Sequence, residues 1–174
     1  MDPSQSTGSV IFGLVAIVAL VLANAFFVAA EFALVGSRRT RLDEMSRAGN
    51  RKATLARRAV QSLDRYISAT QLGITLSSLG LGWIGEPALA GLIEGGFAWL
   101  PEGVEAFATH GVAIAISFSI ITVLHIVLGE LMPKAVALLY PESVSAWLAV
   151  PLMGFAWVMA GATDSGSRAG GRSG

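Results

Sequence analysis

The sequence predicts an all-α integral membrane domain with three transmembrane helices and additional amphipathic helices at the membrane surface. Of its 174 residues, 53% are hydrophobic and only 14% are charged, whereas a typical soluble domain carries about 25% charged residues. The mean hydropathy is +0.64. Three stretches also reach the length of about 20 apolar residues that a helix needs to cross the hydrocarbon core. Together these observations exclude an ordinary soluble domain.

The three spans are expected at about 10–35, 67–85 and 108–132. The first opens with a long uncharged run that exceeds a signal-peptide core and has no basic residue before it, so we expect it to be retained. The second span is uncharged but rich in Ser, Thr and Gly, and the third ends just before a proline. All three are therefore predicted to be helices that cross the membrane.

A fourth apolar run at about 143–160 permits two interpretations. It holds Pro151 and Gly154 near its middle and carries two tryptophans, Trp147 and Trp157. Because Trp is favoured at the membrane–water interface, the run is either a short fourth span or a juxtamembrane helix that lies in the interface. Basic residues after the third span and in the C-terminal tail favour a cytoplasmic C-terminus, and hence three spans plus a juxtamembrane helix.

The distribution of charge predicts the orientation. Nine of the twelve Lys and Arg residues lie between residues 37 and 66, whereas the segment 86–105 carries four Glu and no basic residue. The positive-inside rule places the first segment in the cytoplasm and the second outside. The N-terminal tail at 1–9 is then external and the C-terminus cytoplasmic, in a multi-pass protein of the plasma membrane.

The basic segment is predicted to lie along the cytoplasmic membrane surface. Its apolar positions form two short amphipathic helices within 38–62, separated by the turn signal Ala-Gly-Asn at 48–50, with arginines directed at lipid phosphates. Residues 10–163 form the membrane domain. Residues 164–174 have the composition of a flexible linker or an artificial tail, after which a soluble domain is expected in a longer parent chain.

Composition also excludes several classes of function. The absence of cysteine excludes disulfides, thiolate metal sites and a Cys nucleophile, and a formal net charge of zero excludes a polybasic nucleic-acid binder. The sequence has no nucleotide-binding loop, no HExxH motif and no Ser-His-Asp arrangement, so we do not expect an enzyme. A three-span unit leaves little room for an internal pathway, which favours a homodimer.

The strongest candidate for chemistry is Glu130, at the inner end of the third span beside Pro133. A carboxylate at membrane depth costs about 2.5–3.5 kcal/mol on insertion scales, which makes it a functional candidate. Because Pro133 lacks an N–H, the carbonyl of Gly129 loses its helical partner next to this carboxylate. Such oxygens suit a hard cation, namely Mg²⁺, Ca²⁺ or Na⁺. The alternative is an interfacial Glu130 that pairs with Lys134, four residues later.

Neutral oxygens crowd the second span. Gln71, Thr75 and Ser78 are spaced by four and three residues and therefore share one helix face. Thr70 and Ser77 add further hydroxyl groups. This face is either directed at a cation near the carboxylate or used to pack helices together, because Ser and Thr also join helices in membranes.

The first span has two polar interruptions, Asn24 and Glu31, seven residues apart on one face. Asn24 lies deep, and both a ligand role and an interhelical hydrogen bond remain open for it. Glu31 lies near the cytoplasmic end and fits helix pairing better. In the third span, His125 fits packing or hydrogen bonding better than Mg²⁺ ligation, because hard cations prefer oxygen.

Three segments together resemble the transmembrane (DUF21-type) domain of the CorC/CNNM magnesium transporters. They are NAFFVAAEFALVGSRR, ATQLGITLSSLGLGWIGEP and LGELMPKAVALLYPE. The Gly-Glu-x-x-Pro-Lys motif at 129–134, followed by Tyr-Pro-Glu, is the most specific part. The resemblance implies a homodimer that moves Mg²⁺ outward, with Na⁺ as a possible coupling ion. It also implies a cytoplasmic CBS module after the C-terminus that binds adenine nucleotide.

Carried onto matching positions, the resemblance makes Glu130 the acidic ligand of the ion. Thr75 and Ser78 stand where many members have Asn. Val28 stands where many members have Ser, so the ligand from the first span is either a backbone carbonyl there or Asn24. The carbonyl of Val136 is a further candidate.

The sequence therefore predicts Mg²⁺ transport, and the alternative is a membrane anchor or dimerisation scaffold for a cytoplasmic CBS module. The predicted metal ligands are Glu130, Ser78, Thr75, Asn24, Gly129 and Val136. The residues expected beside the ion or along its path are Gln71, Thr70, Ser77, Val28, Glu31, His125, Pro133 and Lys134.

Overall fold

The computed structural model describes residues 7–96 and 110–170, and nearly all of these residues lie in helices. The predicted external tail at 1–9 and the predicted linker at 164–174 lie partly outside these ranges. The described helices, including two π-helical segments, follow in chain order: α1 (Thr7–Gly36), α2 (Arg39–Arg47), α3 (Arg51–Gln61), α4 (Leu63–Gly80), π1 (Leu81–Gly85), α5 (Glu86–Gly96), α6 (His110–Leu124), π2 (His125–Leu131), α7 (Met132–Leu139) and α8 (Pro141–Gly170).

Four helical stretches in the described ranges are long and apolar enough to cross a membrane. They are Val10–Gly36, Leu63–Ile93, Gly111–Leu139 and Pro141–Met159. The all-helical membrane architecture is therefore confirmed. The structure extends the second stretch through π1 into α5 and the third through π2 into α7, so both helices run beyond the predicted spans. The fourth run also forms one helix, with Pro151 inside it.

The two π-helical segments change which residues share a helix face. In a π-helix the hydrogen bonds join residues five apart, and such segments occur mostly as single turns within α-helices. The segment π2 ends at Leu131, two residues before Pro133, whose ring and missing N–H disrupt a regular α-helix. The segment π1 joins α4 to α5 without interrupting the helical backbone, since Gly80 and Glu86 both have helical dihedral angles.

The chain divides into two compact units. The first comprises the described residues of Met1–Ala25 and Thr75–Leu131. Its small apolar core consists of Ile17, Val21, Leu81 and Ile121. Glycine allows close contact here, because a Cβ atom added at Gly85 would lie 3.2–3.4 Å from Ile17, Leu81 and Ile121.

The second unit comprises the described residues of Phe26–Ile74 and Met132–Gly174. Helices α2 and α3 are joined by a turn at 48–49, where Gly49 adopts a φ of +89° that disfavours other residues. The side chain of Asn50 then caps α3 by accepting a hydrogen bond from the backbone N–H of Ala53. The buried face of α3 packs along α8 in a core that includes Ala53, Ala56, Ala59, Val60, Ala146, Ala149, Leu152 and Ala156.

Candidate functional site

Asn24 is the centre of a buried hydrogen-bond network in the first unit. The side chain is fully buried. Its amide nitrogen donates to the backbone carbonyl of Gly129 at 3.1 Å and lies 3.2 Å from Nε2 of His125. Its amide oxygen accepts a hydrogen bond from the hydroxyl of Ser78 at 3.4 Å. The carbonyl of Gly129, four residues before Pro133, is therefore bound by a side-chain donor from α1.

The segment π2 brings His125 and Glu130 together. Nε2 of His125 lies 3.3 Å from Oε1 of Glu130. In a regular α-helix, residues five apart point about 140° away from each other. In a π-helix, by contrast, the turn closes over five residues. The contact thus depends on the π-helical turn. Because Nε2 of His125 lies close to both the Asn24 nitrogen and Oε1 of Glu130, it connects Glu130 to the Asn24 network.

Glu130 also lines a cavity of about 250 Å³. Its side chain is 45% exposed, so the carboxylate is accessible from this space. The cavity contains oxygen from two carboxylates and two hydroxyls, with apolar side chains between them. Its lining residues are Ser78, Leu81, Gly82, Glu86, Phe118, Ile121, Thr122, His125, Ile126 and Glu130.

This donor set determines which cation the cavity suits. Carboxylate and hydroxyl oxygens are ligands for hard cations, and Mg²⁺ in proteins commonly retains several waters beside one or two carboxylates. Within residues 7–96 and 110–170, no three His, Asp or Glu side chains converge closely enough to hold a metal ion. A cation at Glu130 would therefore depend on neutral oxygens and water for most of its coordination.

Two other predicted residues of the first unit, Ser77 and Thr75, are not part of the cavity lining. Ser77 is buried, and it is absent from the cavity lining. Thr75 lies on an exposed face of α4. Of the six predicted ligands, the described contacts join Asn24, Ser78 and Gly129 directly, and the cavity adds Glu130 beside Ser78.

The remaining predicted residues belong to the second unit. Thr70 is fully buried and donates to Oε2 of Glu31 at 3.3 Å and to the carbonyl of Ile67 at 2.8 Å. The ammonium of Lys134 lies 4.5 Å from the centre of the Phe32 ring. The others differ in exposure: Val28 is buried, Pro133 is half-buried, and Gln71 and Val136 are exposed.

Two polar residues of the cavity, Glu86 and Thr122, were not among the predicted site residues. The sequence predicts the end of the second span at Gly85 and therefore places Glu86 in the acidic external segment, whereas the helix continues to Ile93. Thr122 is one of three hydroxyl residues in α6, together with Ser117 and Ser119. Thr122 precedes Glu130 by eight residues, which leaves the two side chains about 80° apart on a regular α-helix, so this spacing gave little indication that both line one cavity.

The comparison with known proteins agrees with the motifs. Residues 15–163 match the family described as the cyclin M transmembrane N-terminal domain, CNNM. This chain belongs to the CNNM family. The resemblance that its three motifs indicated is therefore confirmed at the level of the family.

Several bacterial proteins are similar to this CNNM domain. The UPF0053 proteins YhdT and YugS of Bacillus subtilis are 44% identical over 155 residues and 41% identical over 145 residues, covering 85% and 83% of this chain. Rv1841c of Mycobacterium tuberculosis is 40% identical over 134 residues, covering 77% of this chain and 37% of the relative. The chain spans about a third of the length of these relatives, since the alignments cover 33% of both Bacillus proteins.

Proposed function

We propose that this chain forms the ion-carrying part of a Mg²⁺ transporter and that Glu130 is the acidic ligand of the ion. One observation carries the proposal: the Glu130 carboxylate lines a cavity shared with hydroxyl groups, within helices of membrane-spanning length. Carboxylates in such segments are costly and are retained mainly for function. Membership of the CNNM family supports Mg²⁺ as the ion, because the related CorC/CNNM proteins are magnesium transporters.

Neutral ligands would come from the Asn24 network. The Ser78 hydroxyl donates its proton to Asn24, but its oxygen retains lone pairs that can bind a cation. The Gly129 carbonyl accepts a hydrogen bond from Asn24, and a carbonyl oxygen has a second lone pair that can bind a cation. Mg²⁺ requires about six oxygens in near-octahedral geometry, so water completes the coordination. With a single carboxylate among mostly neutral ligands, binding stays weak enough to release the ion.

The finer features of the transporter form part of the same proposal. The N-terminus is outside, the C-terminus is cytoplasmic, and two copies assemble as a homodimer in the plasma membrane. Mg²⁺ moves outward, with Na⁺ as the coupling ion, under the control of a cytoplasmic CBS module in the longer chain. The chain crosses the membrane three times, and α8 lies at the interface.

The test compares Glu130→Gln with Glu44→Gln. Glu44 is an exposed residue of α2 that pairs with Arg41 at 2.8 Å, far in sequence from the cavity residues. Isothermal titration of the detergent-purified protein should show Mg²⁺ binding that is abolished by Glu130→Gln and kept by Glu44→Gln. Mg²⁺ flux into dye-loaded proteoliposomes should likewise be lost in Glu130→Gln and kept in Glu44→Gln. Unchanged flux in Glu130→Gln, with the variant correctly assembled, would refute the proposal.

A second candidate function is a membrane scaffold for a regulatory module. The structure offers one observation in its favour: each polar atom of the Asn24 amide already has a protein partner, and Glu130 contacts His125. In that case the network joins helices and binds no ion. A purified protein that shows no Mg²⁺ binding and no flux, while remaining folded, would favour the scaffold.

A further inference from the structure

We propose that Glu86 is a second cation-binding group in the same cavity and that the ion passes between Glu86 and Glu130. This inference rests on the proposed function and adds a residue and a path to it. Both carboxylates line one cavity, with the hydroxyls of Ser78 and Thr122 also in its wall. The proposed path has two binding positions, one at each carboxylate.

Contacts within the first unit place the backbones of Glu86 and Glu130 at different levels. Gly85 directly precedes Glu86, and a Cβ atom built at Gly85 would lie 3.4 Å from Cδ1 of Ile121. Ile121 precedes Glu130 by nine residues, which corresponds to about 13 Å along a helix at a rise of 1.5 Å per residue. Mg²⁺ binds oxygen at about 2.0–2.1 Å. The backbone of Glu86 therefore lies near the level of Ile121 and away from that of Glu130, so each carboxylate would form a separate binding position.

The segment π1 explains why Glu86 faces the cavity. Glu86 follows Ser78 by eight residues, and in a regular α-helix eight residues leave two side chains about 80° apart. A π-helical turn accommodates an extra residue, so the two side chains are brought back to the same side. Both residues line the cavity accordingly. An α-helix through residues 81–85 would turn Glu86 away from this space.

A structural role at a helix start does not account for Glu86. An acidic residue followed by proline is common in the first turn of a helix, where it interacts with free N–H groups. Here the helical backbone continues from α4 through π1 into α5, and Glu86 has φ −59° and ψ −52°. Such a continuous helix has no free N-terminus at Glu86, so its carboxylate is available to the cavity.

Ion conduction is helped by several binding positions in series, because the ion must bind strongly enough to enter and still be able to leave. Glu86 would hold the ion at one end, the hydroxyls would assist its passage, and Glu130 would hold it at the other end. Removing the charge at Glu86 should slow transport while leaving the binding position at Glu130 intact. The proposed role is thus separable from that of Glu130.

The first experiment compares Glu86→Gln, Glu130→Gln and Glu44→Gln in proteoliposomes and by titration with MgCl₂. We expect Glu86→Gln to bind Mg²⁺ within about threefold of the unmodified protein at Glu130, but to lose at least tenfold in flux at low Mg²⁺ concentration. Loss of both binding and flux in Glu86→Gln would indicate one shared site and overturn the two-position path. Wild-type flux in Glu86→Gln with no flux in Glu130→Gln would overturn this inference alone. Wild-type flux in Glu130→Gln would overturn the proposed function itself.

A second experiment tests the charge at position 86 directly. It compares two reagents on one variant protein, so a difference in flux cannot come from a difference in folding. The chain has no cysteine, so Glu86→Cys introduces a single thiol that a methanethiosulfonate reagent can modify. A reagent carrying a sulfonate should restore flux, whereas one carrying a trimethylammonium group should not. Equal flux after both reagents would overturn the inference. Glu44→Cys is the matched control, and neither reagent should change its flux.

Discussion

Asn24 shows how one buried amide organises the centre of the first unit. Its nitrogen donates to the Gly129 carbonyl and lies 3.2 Å from Nε2 of His125, and its oxygen accepts a hydrogen bond from the Ser78 hydroxyl. Gly129 has to be small for this arrangement, because a Cβ atom there would lie 3.1 Å from the Asn24 nitrogen and 3.2 Å from the His125 ring. The asparagine thus joins α1, α4 and π2 at a single point.

Replacing Asn24 with leucine should destabilise the fold. Leucine has a similar size but leaves the Gly129 carbonyl and the Ser78 hydroxyl without their partner, at about 1–3 kcal/mol for each buried group left unsatisfied. We expect a lower midpoint of thermal unfolding in detergent. Asn50→Leu is a control for the loss of an asparagine, since Asn50 caps an exposed helix start and its loss should cost about 1 kcal/mol. Equal midpoints for the two variants would contradict the central role of Asn24.

Neighbouring serines on α4 allow a matched test of the ligand set. Ser78 lines the cavity, whereas Ser77 is buried and does not. Ser78→Ala removes one neutral oxygen and should cost about 1 kcal/mol of Mg²⁺ binding, near a fivefold loss of affinity. Ser77→Ala should leave the affinity unchanged. Titration calorimetry on both variants measures the difference, and an equal loss in both would exclude Ser78 as a ligand.

Among the helices, the π-helical segments mark the limit of what the sequence could predict. Hydrophobic length alone predicted the membrane helices, and the Ala-Gly-Asn turn chemistry at 48–50 is local, so the turn between α2 and α3 could be expected. The widened turns at π1 and π2 leave no comparable signal, because an α-helical period places His125 and Glu130 on different sides. Glu86, which lines the cavity, was missed because the second span was predicted to end at Gly85, whereas the helix continues through π1 into α5.

The close contact of α1 with α5 gives a prediction for helix packing. A Cβ atom at Gly13 would lie 2.5 Å from the Cβ of Ala88, so Gly13→Ala forces the two helices apart. Overpacking of this kind costs about 1–3 kcal/mol. Gly111→Ala is the control, because no atom of residues 7–96 or 110–170 lies within 4 Å of its Cβ position and alanine favours a helix by about 1 kcal/mol. Thermal unfolding should show a loss for Gly13→Ala and no loss for Gly111→Ala.

For the molecule as a whole, the packing of the second unit bears on the number of membrane crossings. The alanine face of α3 packs along residues 146–156 of α8, and the ammonium of Lys52 lies 3.2 Å from the centre of the Trp147 ring. Helix α3 has only 11 residues and exposes several basic side chains, so it cannot lie in the hydrocarbon core. Because α8 contacts α3 along residues 146–156, the position of α3 outside the hydrocarbon core favours an interfacial position for α8 as well.

Single cysteines can test this topology, because the chain has none of its own. Asn50→Cys marks the turn before α3, and Ser165→Cys marks a position beyond the apolar part of α8. If α8 lies at the interface, both thiols face the cytoplasm, and a membrane-impermeant maleimide should label them only after the cells are permeabilised. If α8 crosses the membrane, the Ser165→Cys thiol should be labelled in intact cells while the Asn50→Cys thiol remains protected. Ser4→Cys, in the proposed external tail, is the positive control and should be labelled in intact cells.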